Sequence, residues 1–249
     1  MVDFSIITVA KDAEKFIGQN IESVLDQDFK KFEQLIILNE HDTETKKEII
    51  KILDDRIKLF TIDDDGPYDA MNFGVHKARG KFITFLNSDD YFYNNSVLSV
   101  IKQEINQNPS TNYCYGNIII NKNEKIFRKW KSGNFKRKNF FLGWHPPHPS
   151  LFMRKKDLDL SENIFDKNFK ISADYEFMVR YFVKRRKHAK FINKTMVIMR
   201  HGGLSSKNLK NIMNSNFECY LAWKKNNYYF MFYIFFLKPL KKVTQLIFR

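Results

Sequence analysis

The chain has 249 residues, 43% hydrophobic and 28% charged, a globular profile with ample material for a core. Its two cysteines, Cys114 and Cys219, lie far apart, which argues against a disulfide framework or a structural zinc site and fits a reducing cytosol. Lys and Arg exceed Asp and Glu by 42 to 28, and the net charge of +14 leaves three acidic partners open: nucleic acid, an anionic membrane, or phosphorylated substrates.

Phe4 to Ala10 is a β-branched apolar run without helical period, so it reads as a buried strand. Phe16, Ile17, Ile21, Val24 and Leu25 then mark the apolar face of a helix over residues 14–27. Leu35 to Leu38 is a second buried strand, and Thr43 is placed to cap a helix carrying Ile49, Ile50 and Leu53. Ile57 to Ile62 is a third strand. A helix over 67–79 starts on Pro67 and stops before Gly80. Phe82 to Leu86 is the fourth strand. This rhythm predicts a mostly parallel central sheet flanked by helices.

The second half changes style. A helix over 95–107 stops at Pro109, and Tyr113–Asn121 with Lys125–Trp130 reads as a hairpin. Residues 131–149 read as a loop, 150–154 as a strand, 173–184 as a helix and 189–199 as a late strand. No repeat or low-complexity linker divides this part. No secretory leader is expected, because Met1-Val2-Asp3-Phe4 runs straight into a strand with an acid where a basic region belongs. The longest apolar run, Tyr228 to Leu237, falls short of the roughly 18 residues of a spanning helix.

The most informative stretch is Phe85-Leu86-Asn87-Ser88-Asp89-Asp90. A strand ends in an amide, a hydroxyl and two carboxylates, a hard-oxygen set suited to Mg²⁺ or Mn²⁺ shared with a substrate's phosphates. In open α/β sheets ligands bind at this end of the strands. Lys11 and Asp12 leave the first strand at the same end, where a nucleotide could sit. No Gly-x-Gly-x-x-Gly follows them, and no phosphate-cradling Gly-Lys loop exists. Asp63, Asp64, Asp65 and Asp69 place four acids within seven residues around a Pro-started helix, more than capping requires. Asp174, followed by Glu176, stands at a helix start, where a carboxylate can serve either as a cap or as a general base. Arg200 and His201 precede two glycines and could serve a diphosphate or a metal. His145-Pro146-Pro147-His148-Pro149 lacks zinc spacing and reads as a shaped acceptor loop.

The ordered set resembles family 2 glycosyltransferases of the GT-A nucleotide-diphospho-sugar transferase fold, in the bacterial branch serving capsule, O-antigen and exopolysaccharide assembly, including colanic acid. The likeness runs through Asp64-Asp65-Gly66-Pro67-Tyr68-Asp69-Ala70-Met71-Asn72, Ala78 to Asp90, His148 to Arg154, Phe165-Asp166 and Ile171 to Glu176, covering about residues 4–206. It implies that Asn87-Ser88-Asp89 occupies the metal motif, with Asp89 the direct ligand and Asp90 and His201 beside it, and that Asp174 is the catalytic base. It implies further that Ala10, Lys11 and Asp12 hold the nucleotide, that Asp64, Asp69 and Asn72 line the sugar-nucleotide pocket, and that His148, Glu176 and Arg200 contact substrate. The sequence departs from the family pattern at Asn39, where an aspartate usually serves the nucleotide, and at Asn87, Ala173 and the pair Lys11-Asp12.

These features predict an inverting, Mn²⁺- or Mg²⁺-dependent transfer from a nucleotide-sugar, UDP-linked by preference, to a hydroxyl of a glycan or lipid-linked saccharide. Residues 1–206 are expected to form the catalytic domain, and 207–249 a helical, basic and aromatic C-terminal appendage on the cytoplasmic membrane surface, the alternative being that its aromatics pack on the catalytic domain or in a homodimer. The rivals are a sugar-nucleotide pyrophosphorylase, whose glycine-rich nucleotide loop is missing, and a non-catalytic basic module for membrane or nucleic acid. Nucleic-acid binding is not expected, since acids gather at the strand ends.

Overall fold

The computed structural model describes residues 2–52, 54–203, 208–235 and 237. Strand β1 (Phe4–Ala10) lies between β2 (Phe32–Asn39) and β4 (Phe82–Phe85), and β3 (Ile57–Ile62) adds outside β2, all four parallel. The sheet then turns mixed. β8 (Phe152–Arg154) is antiparallel to β4 and β6 (Tyr113–Lys122), while β9 (Lys190–Arg200) runs parallel to β6. β7 (Lys125–Trp130) completes the expected hairpin with β6, and the short β5 (Tyr91–Phe92) pairs antiparallel with β9. Parallel pairing therefore governs the first half rather than the whole sheet.

Both faces are covered, which explains the unbroken apolar runs. Ile7, Leu35, Ile37, Ile83 and Phe85 face one core cluster with residues of α3 (Pro67–Lys77) and α5 (Ala173–Met178). Phe4, Ile6, Phe82 and Leu86 face the other side with α4 (Val97–Gln107), and Ala10, Ile36 and Leu38 meet α1 (Ile17–Leu25) and α2 (Thr43–Ile50). Strand period two thus feeds two cores at once, each fully buried aliphatic side chain contributing roughly 1.5–3 kcal/mol. The helices pack closely. A Cβ on Gly80 would lie 2.4 Å from the Ser5 nitrogen, and one on Gly74 2.5 Å from Ile7 Cγ2.

Three local expectations need correction. Asp42, not Thr43, caps α2, its side chain accepting from the Thr45 N–H. The expected helix over 173–184 is α-helical only to Met178 and continues as a π-turn from Val179 to Lys184. The expected loop over 131–149 contains 3₁₀ turns at Arg137–Leu142 and His148–Ser150.

The described part of the C-terminal segment is no loose appendage. Cys219, Ala222 and Trp223 of α6 (Leu209–Lys225), with Met231 and Ile234 beyond it, belong to the same core as α3 and α5. Phe141 packs on Trp223 and Tyr228. The expected boundary at 206/207 and the final stretch 238–249 lie outside the described residues. Among the described residues no helix is long and apolar enough to cross a membrane.

Candidate active site

The turn after β4 hangs on a buried amide. Asn20 of α1 donates from Nδ2 to the carbonyl oxygens of Asn87 and Asp90, both at 2.8 Å, while its Oδ1 accepts from Gln34 at 2.8 Å. Asp90 is fully buried, and both its carboxylate oxygens are engaged: one accepts from the Arg200 N–H at 3.0 Å, the other from Asn87 Nδ2 at 3.1 Å. Burial, then the charge of Asp89, push the Asp90 carboxyl far above the usual range. The Asp90 oxygens, expected beside a metal, here hold the turn to β9. Asp89 is half-buried instead. Burial raises its pKa and the Arg200 charge opposes this. The Arg200 charge favours the ionised form of both carboxyls, and a divalent ion held by Asp89 would favour its ionised form further.

Arg200 reaches back over the Phe16 ring at 4.2 Å and donates to Gln19 and to the Asp89 carbonyl, so it braces this turn. A cavity of about 260 Å³ opens beside it, lined by Gln19, Tyr91, Asn121, Ile198 and the β6–β7 turn. His201 is exposed, with its ring edge-on to Phe127 at 4.6 Å.

The strand ends β1 to β3 form a second group. Ala10 is buried, Lys11 and Asp12 are exposed, and Asp12 adopts the left-handed region at φ 53°. The Asp12 N–H donates to Asp42 at 2.7 Å. Burial alone would raise the Asp42 carboxyl, but hydrogen bonds from Thr45 and Asp12 and the charge of Lys11 hold it below its usual value. Asn39, buried where an acid was expected, donates to Asp64 at 3.0 Å, and Asp64 accepts from the Gly66 N–H at 2.9 Å. The amide therefore ties β2 to the turn before α3. Asp69 accepts from Lys167 at 3.0 Å, a partner the sequence did not single out. Glu40, His41 and Asp63, all exposed, bring one ligand atom each within 4.8 Å of one another.

Asp174 stands in the first turn of α5. Its Oδ1 accepts from the Tyr68 hydroxyl at 3.2 Å, which joins it to the first turn of α3. His148 joins it to β4: the buried ring stacks on Phe85 at 5.2 Å and lies within the field of Asp174. Burial lowers the His148 pKa, the Asp174 charge opposes this, and Nε2 has no partner. Two other expected substrate contacts are spent elsewhere. Asn72 exchanges two hydrogen bonds with the Phe165 backbone, at 2.8 and 2.9 Å. Glu176 is wholly buried and pairs with Arg180 at 3.1 Å and Asn226 at 3.1 Å. On a helix, residues two apart point to different faces, so Glu176 enters the core where Asp174 does not.

Carboxylates at the ends of parallel strands, on a sheet that turns mixed beyond β4 and is covered by helices on both faces, fit the GT-A class of fold. The chain matches the family model "Glycosyl transferase family 2" over residues 5–165 and belongs to that family. It is 34% identical over 127 residues to UDP-Glc:alpha-D-GlcNAc-diphosphoundecaprenol beta-1,3-glucosyltransferase WfgD of Escherichia coli, covering 51% of this chain and 49% of that one. The chain spans still less, 12% and 38%, of uncharacterized glycosyltransferases from Rickettsia bellii and Haemophilus influenzae. S. aureus TarS, solved with UDP-GlcNAc, superimposes with a TM-score of 0.69 at 17% identity over 90% of this chain and 65% of that one. A Pyrobaculum calidifontis mannosyltransferase, solved with GDP-Man and Mn2+, does so with 0.64 at 11% identity over 98% and 73%. These two likenesses concern the fold.

Proposed function

We propose that this chain transfers a sugar from a nucleoside-diphosphate sugar, UDP-linked by preference, to a hydroxyl of a glycan or lipid-linked saccharide, inverting the anomeric carbon. The observation that carries the reading is the pair of links from Asp174, through Tyr68 to α3 and through His148 to the strand that delivers Asp89. Asp174 accepts the proton of the acceptor hydroxyl as its oxygen bonds to the anomeric carbon. The bond from that carbon to the diphosphate breaks on the opposite side, and its electron pair leaves with the nucleotide. One base and one in-line displacement give inversion. Asp89 would hold Mn²⁺ or Mg²⁺, which supplies compensation for the charge growing on the leaving diphosphate. Asp90, Arg200 and Asn20 keep that turn rigid. Lys11, Asp12 and the Asn39–Asp64 pair form the nucleotide end, with Ser88 and Asp69 as further substrate contacts and His201 as a further metal contact.

The printed names of the E. coli relative and of TarS support a UDP-sugar, and the first also supports a diphospholipid-linked acceptor. A lipid acceptor favours action at the inner face of the cell membrane. Leu209, Met213 and Phe217 stand exposed at helical spacing along α6, and Phe230 is 86% exposed beyond it. With Lys210 and Lys224 on the same helix, they suit an anionic bilayer surface. Flotation with anionic liposomes tests this contact: Phe217→Asp with Phe230→Asp should lose it, and unchanged flotation would remove it.

The reaction is tested by thermal shifts with UDP-, GDP- and dTDP-sugars with and without Mn²⁺, followed by turnover of Asp174→Asn. A UDP-sugar should stabilise only with the cation, and Asp174→Asn should lose turnover by at least about 10³-fold while keeping that shift. Turnover retained in Asp174→Asn would contradict the proposal.

A further inference from the structure

Helix α5 is only six residues long, and no side chain caps its first turn. The cap residue Ser172 turns its hydroxyl away, to Ser215 of α6 at 2.9 Å. A base in an uncapped first turn needs support from elsewhere. Glu218 of α6 supplies it, accepting from three successive backbone N–H groups, those of Lys170 and Ile171 at 2.9 Å and of Ser172 at 2.7 Å. Hydrogen bonds to a carboxylate are the stronger kind, and three in a row fix the backbone just before Asp174. Tyr68 holds the same segment from the other side. Its hydroxyl shares one proton between the Ile171 carbonyl at 2.7 Å and Asp174 Oδ1 at 3.2 Å.

We propose that Tyr68 and Glu218 are the positioning residues of the base: Tyr68 orients the Asp174 carboxylate, and Glu218 fixes the backbone that carries it. The proposal rests on Asp174 being the base and concerns two side chains that act through it. Tyr68 also couples the two halves of the site. It is the second residue of α3, whose start is anchored through Gly66 to Asp64 and through Asp64 to Asn39. The strand ends assigned to the nucleotide therefore reach the base through one hydroxyl. Withdrawal from water, then the negative charge of Asp174, keep that hydroxyl protonated well above its usual pKa, as a donor must be. A purely packing role would be met by the ring alone, which lies 5.6 Å from Phe165.

The test uses the full chain without substrate. Carboxylate ¹³C NMR at neutral pH follows the Asp174 resonance, its signal assigned by loss in Asp174→Asn. Loss of the hydrogen bond from the Tyr68 hydroxyl should move the Asp174 carboxylate resonance in Tyr68→Phe while the other carboxylate resonances keep their positions. In Glu218→Gln, which keeps the size but not the charge, amide exchange at 170–172 should accelerate by about tenfold or more while the sheet amides keep their rates. Glu218→Asp retains the carboxylate and should restore part of the protection. An Asp174 carboxylate resonance unmoved in Tyr68→Phe, or exchange at 170–172 unmoved in Glu218→Gln, overturns the proposal. Turnover of UDP-glucose retained by Asp174→Asn overturns the base assignment instead, so the two failures are read apart.

Discussion

Replacing Glu176 with alanine isolates what the second acid of Asp174-Tyr175-Glu176 does. Its carboxylate is wholly buried, receives Arg180 Nε and a terminal nitrogen at 3.1 to 3.2 Å, and accepts from Asn226 at 3.1 Å. Alanine leaves Arg180 buried with the Ile164 carbonyl as its remaining hydrogen-bond acceptor, and leaves Asn226 with the Ala222 carbonyl. Breaking a buried pair from one side costs about 3–5 kcal/mol. For a chain of this size that corresponds to roughly 10 °C in melting temperature. Urea denaturation should show the midpoint falling with an unchanged slope, and the double variant Glu176→Met with Arg180→Met should recover most of the loss. Turnover per folded molecule should stay within about threefold of wild type, because Glu176 faces the core. A cost below about 1 kcal/mol, or a large loss of turnover in fully folded protein, would refute the reasoning.

Asp89→Asn should raise the melting temperature without cation, because it removes a carboxyl whose ionised form burial disfavours, and should abolish the thermal shift given by Mn²⁺ with a UDP-sugar. A raised pKa contributes stability below the unfolded value and loses it as pH rises through the folded one, so this gain should be largest at neutral pH and vanish in acid. His148 carries the opposite sign. Its pKa is lowered, so its contribution is present above the unfolded value of about 6.5 and is lost as pH falls through the folded one. Melting curves of wild type and His148→Phe between pH 4 and 8 should show a shallower acid decline in the variant. Gly80→Ala should destabilise by about 1–3 kcal/mol and by more than Gly74→Ala, since the new Cβ meets backbone at Ser5 in the first and the side chains of Ile7 and Ile37 in the second. Equal midpoints for the two glycine variants in urea would contradict the close approach.

The parallel half of the fold was legible because three of its four strands are buried on both faces and its helices are amphipathic. Phe4–Ala10, Ile57–Ile62 and the start at Pro67 follow from patterns within a dozen residues. Asp89 and Asp174 could be singled out because acids at a strand end and a helix start are chemically conspicuous. What the chain did not disclose depends on contacts between distant residues. Asn72 reads like a pocket residue until Phe165 is seen on both ends of its amide. Asp90 and Glu176 read like site acids until Arg200 and Arg180 are found on them. Glu218 gives no local signal at all, since its partners lie 46 to 48 residues away. The antiparallel placement of β8 was equally hidden, because three residues carry no register.

Anomalous diffraction from crystals soaked with Mn²⁺ and UDP locates the cation directly. The account predicts a peak at coordination distance, roughly 2 Å, from Asp89, in a cleft that Asp174 enters from the opposite wall. A peak on Glu40, His41 and Asp63 with none at Asp89 would contradict it.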